Sequence, residues 1–319
     1  MFVARITGSP TRHIRRLDDR GGRLRYRPAM ASAPYAAPTV AWIDGNMLAF
    51  ADASVPLEDR GLQFGESLYE VVPLCHGRVH MLGEHVERMR AAAALLGLQD
   101  GVPSNERCET IVARLWDVER LDEGLLYLQL TGGTTSRVHV PSIRPTPKLI
   151  AYLMSFQFPR DEHVRTGIAA ITQSDERWAR CDLKTTMLLP TVLWKRAARA
   201  RGAREVIFCG PSDQIHEGGS SNIFVVRAGQ IVHPGPSAHL LPGITGPLVR
   251  SLALEAGLTI HPTPIVRADL FEAEEVFVTS TTFLVMPVVQ VDERPIGRGV
   301  SGPVAIDLAA RLRRRLELE

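Results

Sequence analysis

Apolar residues recur along this chain in two rhythms, and the rhythms divide it into strands and helices. Short apolar runs bounded by turn residues read as strands at 125–130, 149–156, 168–172, 206–209, 223–226 and 275–278, with a further strand beginning at Tyr69. Helical spacing predicts an amphipathic helix over 82–97 closed by Gly97, a second over 106–121, and one ending near Gly202. Another helix runs to Ala256 and is capped by Gly257, and an arginine-studded amphipathic helix covers 304–316. Turn signals fall between these elements: Asp44-Gly45 predicts a hairpin, and His76-Gly77 and Gly210-Pro211 predict turns. No internal repeat is visible.

A length of 319 residues suggests two domains, and 45% hydrophobic content suffices for packed cores. The polar, proline-broken stretch 159–162 reads as a linker, which divides the chain into a small α+β domain (41–158) and a larger domain (159–319). Residues 1–40 differ from both, with eight arginines against Asp18 and Asp19 and then a Pro/Ala/Ser run. An arginine-rich, acid-poor leader fits a transit peptide. It fits a disordered extension or an overlong reading frame better, with Met30 as an alternative start, because no apolar secretory segment accompanies it.

Composition narrows the function. No apolar run approaches the ~20 residues of a membrane span, and a formal charge of +2 gives no case for nucleic acid. Cys75, Cys108, Cys181 and Cys209 are scattered, so neither a zinc site nor a disulfide framework is indicated. A reduced, cytoplasmic setting is expected.

Lysine is scarce: Lys148, Lys184 and Lys195 stand against 34 arginines. A role that needs an amine able to lose its proton and attack a carbonyl has three candidates, since a guanidinium stays charged. Lys148 heads an apolar run and reads as the solvated start of a strand, and Lys195 reads as the outer face of an Ala/Arg-rich helix. That leaves Lys184, for which a salt bridge with Asp182 or Glu176 is the plain structural alternative.

The run Arg177, Trp178, Arg180, Asp182, Lys184, followed by Glu217-Gly218-Gly219-Ser220-Ser221-Asn222, resembles the class IV aminotransferases, the fold-type IV pyridoxal 5′-phosphate enzymes. Within that family it most resembles the D-amino acid aminotransferases. The likeness extends from about Trp42 to the C-terminus, with several motifs in order. It implies an α/β fold of two domains, a homodimer, and small amino acid and 2-oxo acid substrates.

The resemblance also implies roles. Lys184 is the catalytic lysine that carries the cofactor, and Glu217 pairs with its ring nitrogen. Arg88, Ile244, Thr245, Ser280 and Thr281 hold its phosphate, with Ser220 and Leu241 also in the cofactor site. Tyr69 faces the cofactor and helps hold the substrate carboxylate. Arg137 and His139 alternate around Val138, so in an extended loop both donor groups converge on one anion. In the D-amino acid enzymes this pair traps the α-carboxylate across the dimer interface. Gly132-Gly133 stands where one bulkier basic residue is common, which leaves loop flexibility and pocket size open.

Each of these residues has a plainer reading. Tyr69 fits a core tyrosine, Arg88 an exposed helix arginine, Glu217 a solvated turn, Thr245 an ordinary N-cap, and Ser280 and Thr281 strand-end caps. Branched-chain aminotransferases and aminodeoxychorismate lyases share Lys184, Glu217 and the phosphate residues, and only the Arg137/His139 pair favours the D-amino acid enzymes. A cofactor-binding protein without turnover is the alternative of a different class.

Overall fold

The computed structural model describes residues 37–318; the expectations for residues 1–36 of the leader lie outside them. In chain order the first part comprises β1 (Val40–Ile43), β2 (Asn46–Ala49), α1 (Arg60–Phe64), β3 (Ser67–Cys75), β4 (Arg78–Val79), α2 (Leu82–Leu96), α3 (Asn105–Glu119), β5 (Glu123–Thr131) and β6 (Lys148–Ser155). Its six strands form one antiparallel sheet in the order β2-β1-β6-β5-β3-β4.

The expected Asp44-Gly45 turn joins β1 to β2, and both residues have positive φ, as a two-residue hairpin loop requires. Alternation then sorts the sheet's two faces. Leu68, Val72, Leu126, Leu128 and Leu153 point toward α2 and α3 and form one core with Val86, Met89, Ile111 and Leu115. The opposite face carries Tyr69, Tyr127 and Tyr152, stacked at centroid distances of 6.0 and 4.9 Å.

The second part begins with α4 (Asp161–Thr166), whose first residues are those expected to be a linker. Arg160 pairs with Glu123 at 2.6 Å, and the Arg313 side chain donates to Pro159 O, so this stretch is tied down. There follow β7 (Ile168–Ser174), α5 (Leu189–Ala200), β8 (Glu205–Cys209), β9 (Ile215–Gly218), β10 (Asn222–Arg227), β11 (Gln230–His233), α6 (Thr245–Glu255), β12 (Ile260–Pro262) and α7 (Arg267–Glu272). The chain then continues through β13 (Glu275–Ser280), β14 (Leu284–Val291), β15 (Arg294–Pro295) and α8 (Pro303–Arg315).

The second sheet is mixed: β12-β11-β10-β13-β14-β7-β8-β9, with β15 on β14. The pairs β14/β7, β7/β8 and β11/β12 are parallel and the others antiparallel. Two features escaped the sequence reading. β14, buried through its first five residues, is a central strand, so residues 281–283 are a turn between strands and not the end of the sheet. β9 brings Glu217 into a strand, leaving a three-residue turn before β10.

The apolar face of α8 is closed over β13 and β14 by Leu308, Ala309 and Leu312. Its open N-terminus is capped from the sheet: Glu275 accepts from the amides of Val304 at 3.0 Å and Ala305 at 2.9 Å. A carboxylate at this end satisfies two orphan donors and meets the positive end of the helix dipole. Glu275→Ala is therefore expected to lower unfolding stability by roughly 1–3 kcal/mol. Urea denaturation of the two proteins checks this, and an unchanged midpoint would remove the cap from the account.

Candidate active site

A cleft of about 230 Å³ lies where the two sheets meet. The loop after β7 brings Lys184 to it: Leu68 and Thr185 form an isolated antiparallel bridge, Tyr69 N donates to Lys184 O at 3.0 Å, and Thr186 N to Ser67 O at 3.1 Å. Lys184 is half-buried, with its Nζ 4.3 Å from the centre of the Tyr69 ring. Neither carboxylate offered as its salt-bridge partner takes that role. Asp182 is paired with Arg180 at 2.9 Å, and Glu176 accepts from Trp194 Nε1 at 3.2 Å.

The other two lysines are engaged. Lys148 pairs with Asp44 at 3.2 Å. Lys195 is not a free outer-face residue: its Nζ lies 3.1 Å from the fully buried Glu205 and donates to Ser220 Oγ at 2.8 Å. Lys184 is thus the lysine, of three, that faces the cleft without a carboxylate of its own.

Across the cleft β9 presents Glu217, which is buried and not a solvated turn residue. Its Oε2 accepts from Leu241 N at 2.9 Å and Asn222 Nδ2 at 3.4 Å, and its Oε1 from Arg177 Nη1 at 2.5 Å. Burial pushes this carboxyl up to about 7, although Arg177, the Leu241 amide and Lys184 all pull it down. Gly243 lets the Leu241 segment come this close, since a Cβ there would stand 2.0 Å from Asn222 Oδ1.

A third corner gathers hydrogen-bond donors. Thr245 is the first residue of α6, not its N-cap; that position belongs to Ile244, which makes no side-chain capping bond. Ile244 and Thr245 at this helix start line the cleft together with Arg88, Ser280 and Thr281. Arg88 is 11% exposed and not a surface residue. Its Nε and Nη2 grip Glu70 at 2.8 and 2.6 Å, and Nη1 donates to Pro242 O at 2.8 Å. One N–H on each Nη remains. Ser280 Oγ accepts from Phe283 N at 3.0 Å and Thr281 Oγ1 donates to Val71 O at 3.0 Å, so both hydroxyls also hold the turn.

The cleft is thus lined by Tyr69, Arg88, Lys184, Glu217, Ser220, Leu241, Ile244, Thr245, Ser280 and Thr281, all singled out from the sequence. Arg137 and His139 do not line it. Their loop is bent and exposed, with the Arg137 guanidinium 5.3 Å and the His139 ring 5.4 Å from Phe64. Arg60 Nη1 and Nη2 anchor the loop through Val138 O at 2.8 Å and His139 O at 3.0 Å. Gly132-Gly133 is not a loose hinge either: Gly132 N bonds Glu66 O at 2.8 Å and Gly133 O accepts from Arg60 N at 2.9 Å. Gly133 has a φ of +78°, and a Cβ there would sit 2.1 Å from Thr146 O.

Sequence reasoning gave no role to Glu70, His85, Asp175 or, beyond its place in a motif, Arg177. The signal for Glu70 was a lone acid at a helix-facing position of an apolar strand. For His85 it was a position three residues before Arg88, on the same face of α2.

A model of the family described as amino-transferase class IV matches residues 67–291. The chain is 36% identical over 261 residues to a D-alanine aminotransferase of Bacillus licheniformis, covering 82% of this chain and 91% of that one. The chain belongs to the class IV aminotransferases. A D-alanine aminotransferase of Listeria monocytogenes is 32% identical over 270 residues, covering 83% of this chain and 92% of the relative. Among solved structures, a branched-chain amino acid aminotransferase from Thermobaculum terrenum in its PLP form superposes with a TM-score of 0.77 at 20% identity, covering 88% and 94% of the two chains. That likeness speaks for the class IV fold.

The Glu70 cluster of this aminotransferase has a measurable pH signature. Burial works to raise the Glu70 carboxyl, but hydrogen bonds and charge from Arg88 and His85 outweigh it and hold the group at about 2, below its ordinary 4.5. A carboxyl lowered on folding stabilises fully above about pH 4.5, and its contribution is lost as pH falls through about 2. It amounts to something on the order of 3 kcal/mol. The stability gap between wild type and Glu70→Gln should therefore narrow across that window in urea titrations at stepped pH. A gap that stays constant would contradict the assignment.

Proposed function

We propose that this class IV aminotransferase catalyses reversible transamination between a D-amino acid, such as D-alanine, and a 2-oxo acid, using pyridoxal 5′-phosphate. The observation that carries the reading is Lys184, an amine without its own carboxylate, facing the buried Glu217 across one cleft.

The residues present fit that cofactor. Arg88, the start of α6, Ser280 and Thr281 supply donors for a phosphate. Glu217 is a buried carboxyl that takes a single N–H from Arg177, and a protonated ring nitrogen would offer it a further charged donor. When bound, the cofactor supplies a carbonyl for amine exchange and a ring that withdraws electrons from the substrate Cα. Lys184 would hold the cofactor through its Nζ, and the same amine is placed to take and return a proton at the substrate Cα. Glu217 keeps the ring nitrogen protonated. Tyr69 lies against Lys184 Nζ and limits the directions it takes. The phosphate donors hold the ring in register with that amine.

The D-amino acid preference rests on Arg137 and His139 and on the D-alanine aminotransferase relatives. Both side chains flank Phe64, outside the chain's own cleft. This supports a homodimer in which the loop of one protomer serves the substrate carboxylate of the other. Exposed apolar groups on α1 (Leu62), on the lysine loop (Met187) and on α5 (Leu189 and Leu193) fit such an interface. Among the described residues no helix is long and apolar enough to cross a membrane, and all four cysteines are free. The reading places the enzyme in the cytoplasm.

Borohydride reduction of the yellow holoenzyme is expected to fix the cofactor on the Lys184 peptide. Recovery on Lys148 or Lys195 would overturn the central role.

Chiral analysis of a reaction with racemic alanine and 2-oxoglutarate should show the D-enantiomer consumed and the L-enantiomer left. Arg137→Ala should lower kcat/KM for D-alanine at least about tenfold, the loss of a charge-assisted contact of roughly 1.5–3 kcal/mol, with cofactor absorbance intact. Consumption of L-alanine or a branched L-amino acid instead would move the enzyme to the branched-chain group.

A further inference from the structure

Behind Glu217 lies a carboxylate to which the roles above assign nothing. Asp175 follows β7, and its two oxygens accept four hydrogen bonds. Oδ1 takes the Arg177 amide at 3.0 Å and Arg177 Nε at 2.9 Å, while Oδ2 takes Arg177 Nη2 at 2.8 Å and His216 Nδ1 at 2.8 Å. The Asp175 and His216 side chains are 5% and 6% exposed.

Arg177 is therefore held along its Nε–Nη2 edge by Asp175. Its flat face lies 4.5 Å from the centre of the Phe208 ring, and only Nη1 extends to Glu217 Oε1. A planar guanidinium fixed by one edge and one face keeps a single orientation. His216 secures the arrangement from the other side. Its ring stacks on His239 at 4.7 Å and 12°, and His239 O accepts from Arg177 Nη2 at 3.3 Å. Two residues further on, Leu241 N makes the second contact with Glu217.

Burial works against charge on Asp175, but Arg177 and His216 outweigh it and hold the carboxyl below its usual range, so the pair stays ionised and mutually cancelling. Without Asp175, the guanidinium is free to turn both Nη groups onto Glu217, the fork geometry that arginine and carboxylate prefer. That would fill acceptor positions that a ring N–H requires.

We propose that Asp175 and His216 are positioning residues: they restrain Arg177 to one contact with Glu217 and so keep that carboxylate open to the cofactor ring nitrogen. The inference rests on the transaminase reading.

The test is the dissociation constant of pyridoxal 5′-phosphate for wild type, Asp175→Asn, Arg177→Met and the double variant, with kcat and KM beside it. Asp175→Asn is expected to weaken cofactor binding at least about tenfold and to lower kcat, with KM for D-alanine within about twofold. In the Arg177→Met background the same substitution should change cofactor affinity less than about twofold. Equal losses in both backgrounds, or none in either, would overturn the proposal.

Should Asp175→Asn not fold, His216→Leu and His216→Asn decide. The asparagine amide still donates to Asp175, so His216→Asn should retain cofactor affinity that His216→Leu loses, and identical behaviour sinks the idea. A wild-type protein that binds no pyridoxal 5′-phosphate brings down the transaminase reading as well. Tight wild-type binding with an indifferent Asp175→Asn brings down the positioning role alone.

Discussion

Two backbone hydrogen bonds, Tyr69 N to Lys184 O and Thr186 N to Ser67 O, tie the lysine segment to the first residues of β3. That strand is a full member of the first sheet, paired with β5 along its whole length. Because its side chains alternate, the position of the bridge decides what stands beneath the amine. Tyr69 and Val71 face the cleft, while Glu70 faces α2 and meets His85 and Arg88. A slip of one residue would bring a carboxylate under the lysine and a phenol into the helix core. Thr281 bonds the carbonyl of Val71, so the corner with Ser280, Thr281 and Arg88 takes its place from the same strand.

Two buried glutamates flank this arrangement, and burial drives both toward the neutral form. Glu70 stays a strong acid because Arg88 gives it two N–H groups and His85 adds a third. Glu217 is pushed the other way because its arginine is shared: Arg177 gives two side-chain N–H groups to Asp175 and one to Glu217. The contrast follows from how much of one guanidinium each carboxylate commands. It suits one group to permanent scaffolding and the other to a partner of variable charge.

Much of this was legible in the sequence, for physical reasons that differ by element. α2, α3 and β6 bury one face each, so their periodicity carries the signal. β14 is buried from Leu284 through Val288 but carries Pro287 inside that run, and a proline argues against a central strand when only the sequence is read. The cleft residues were found through motifs with fixed order. Asp175 reaches the cleft through Arg177 and His216 meets Asp175, while Lys195 acts on Ser220 from a helix that reads as solvated, so no local pattern marks them. The place of Arg137 and His139 outside the cleft was beyond reach too, because alternation says where side chains point but not what lies opposite.

Arginine nearly replaces lysine throughout this chain, and two of its three lysine ammonium groups are held by carboxylates. A free aldehyde is indiscriminate: it condenses with any amine that is exposed and unprotonated, whereas a guanidinium ignores it. By offering so few primary amines, the polypeptide gives its carbonyl reagent hardly any wrong address, and chemical selectivity begins with what the surface leaves out.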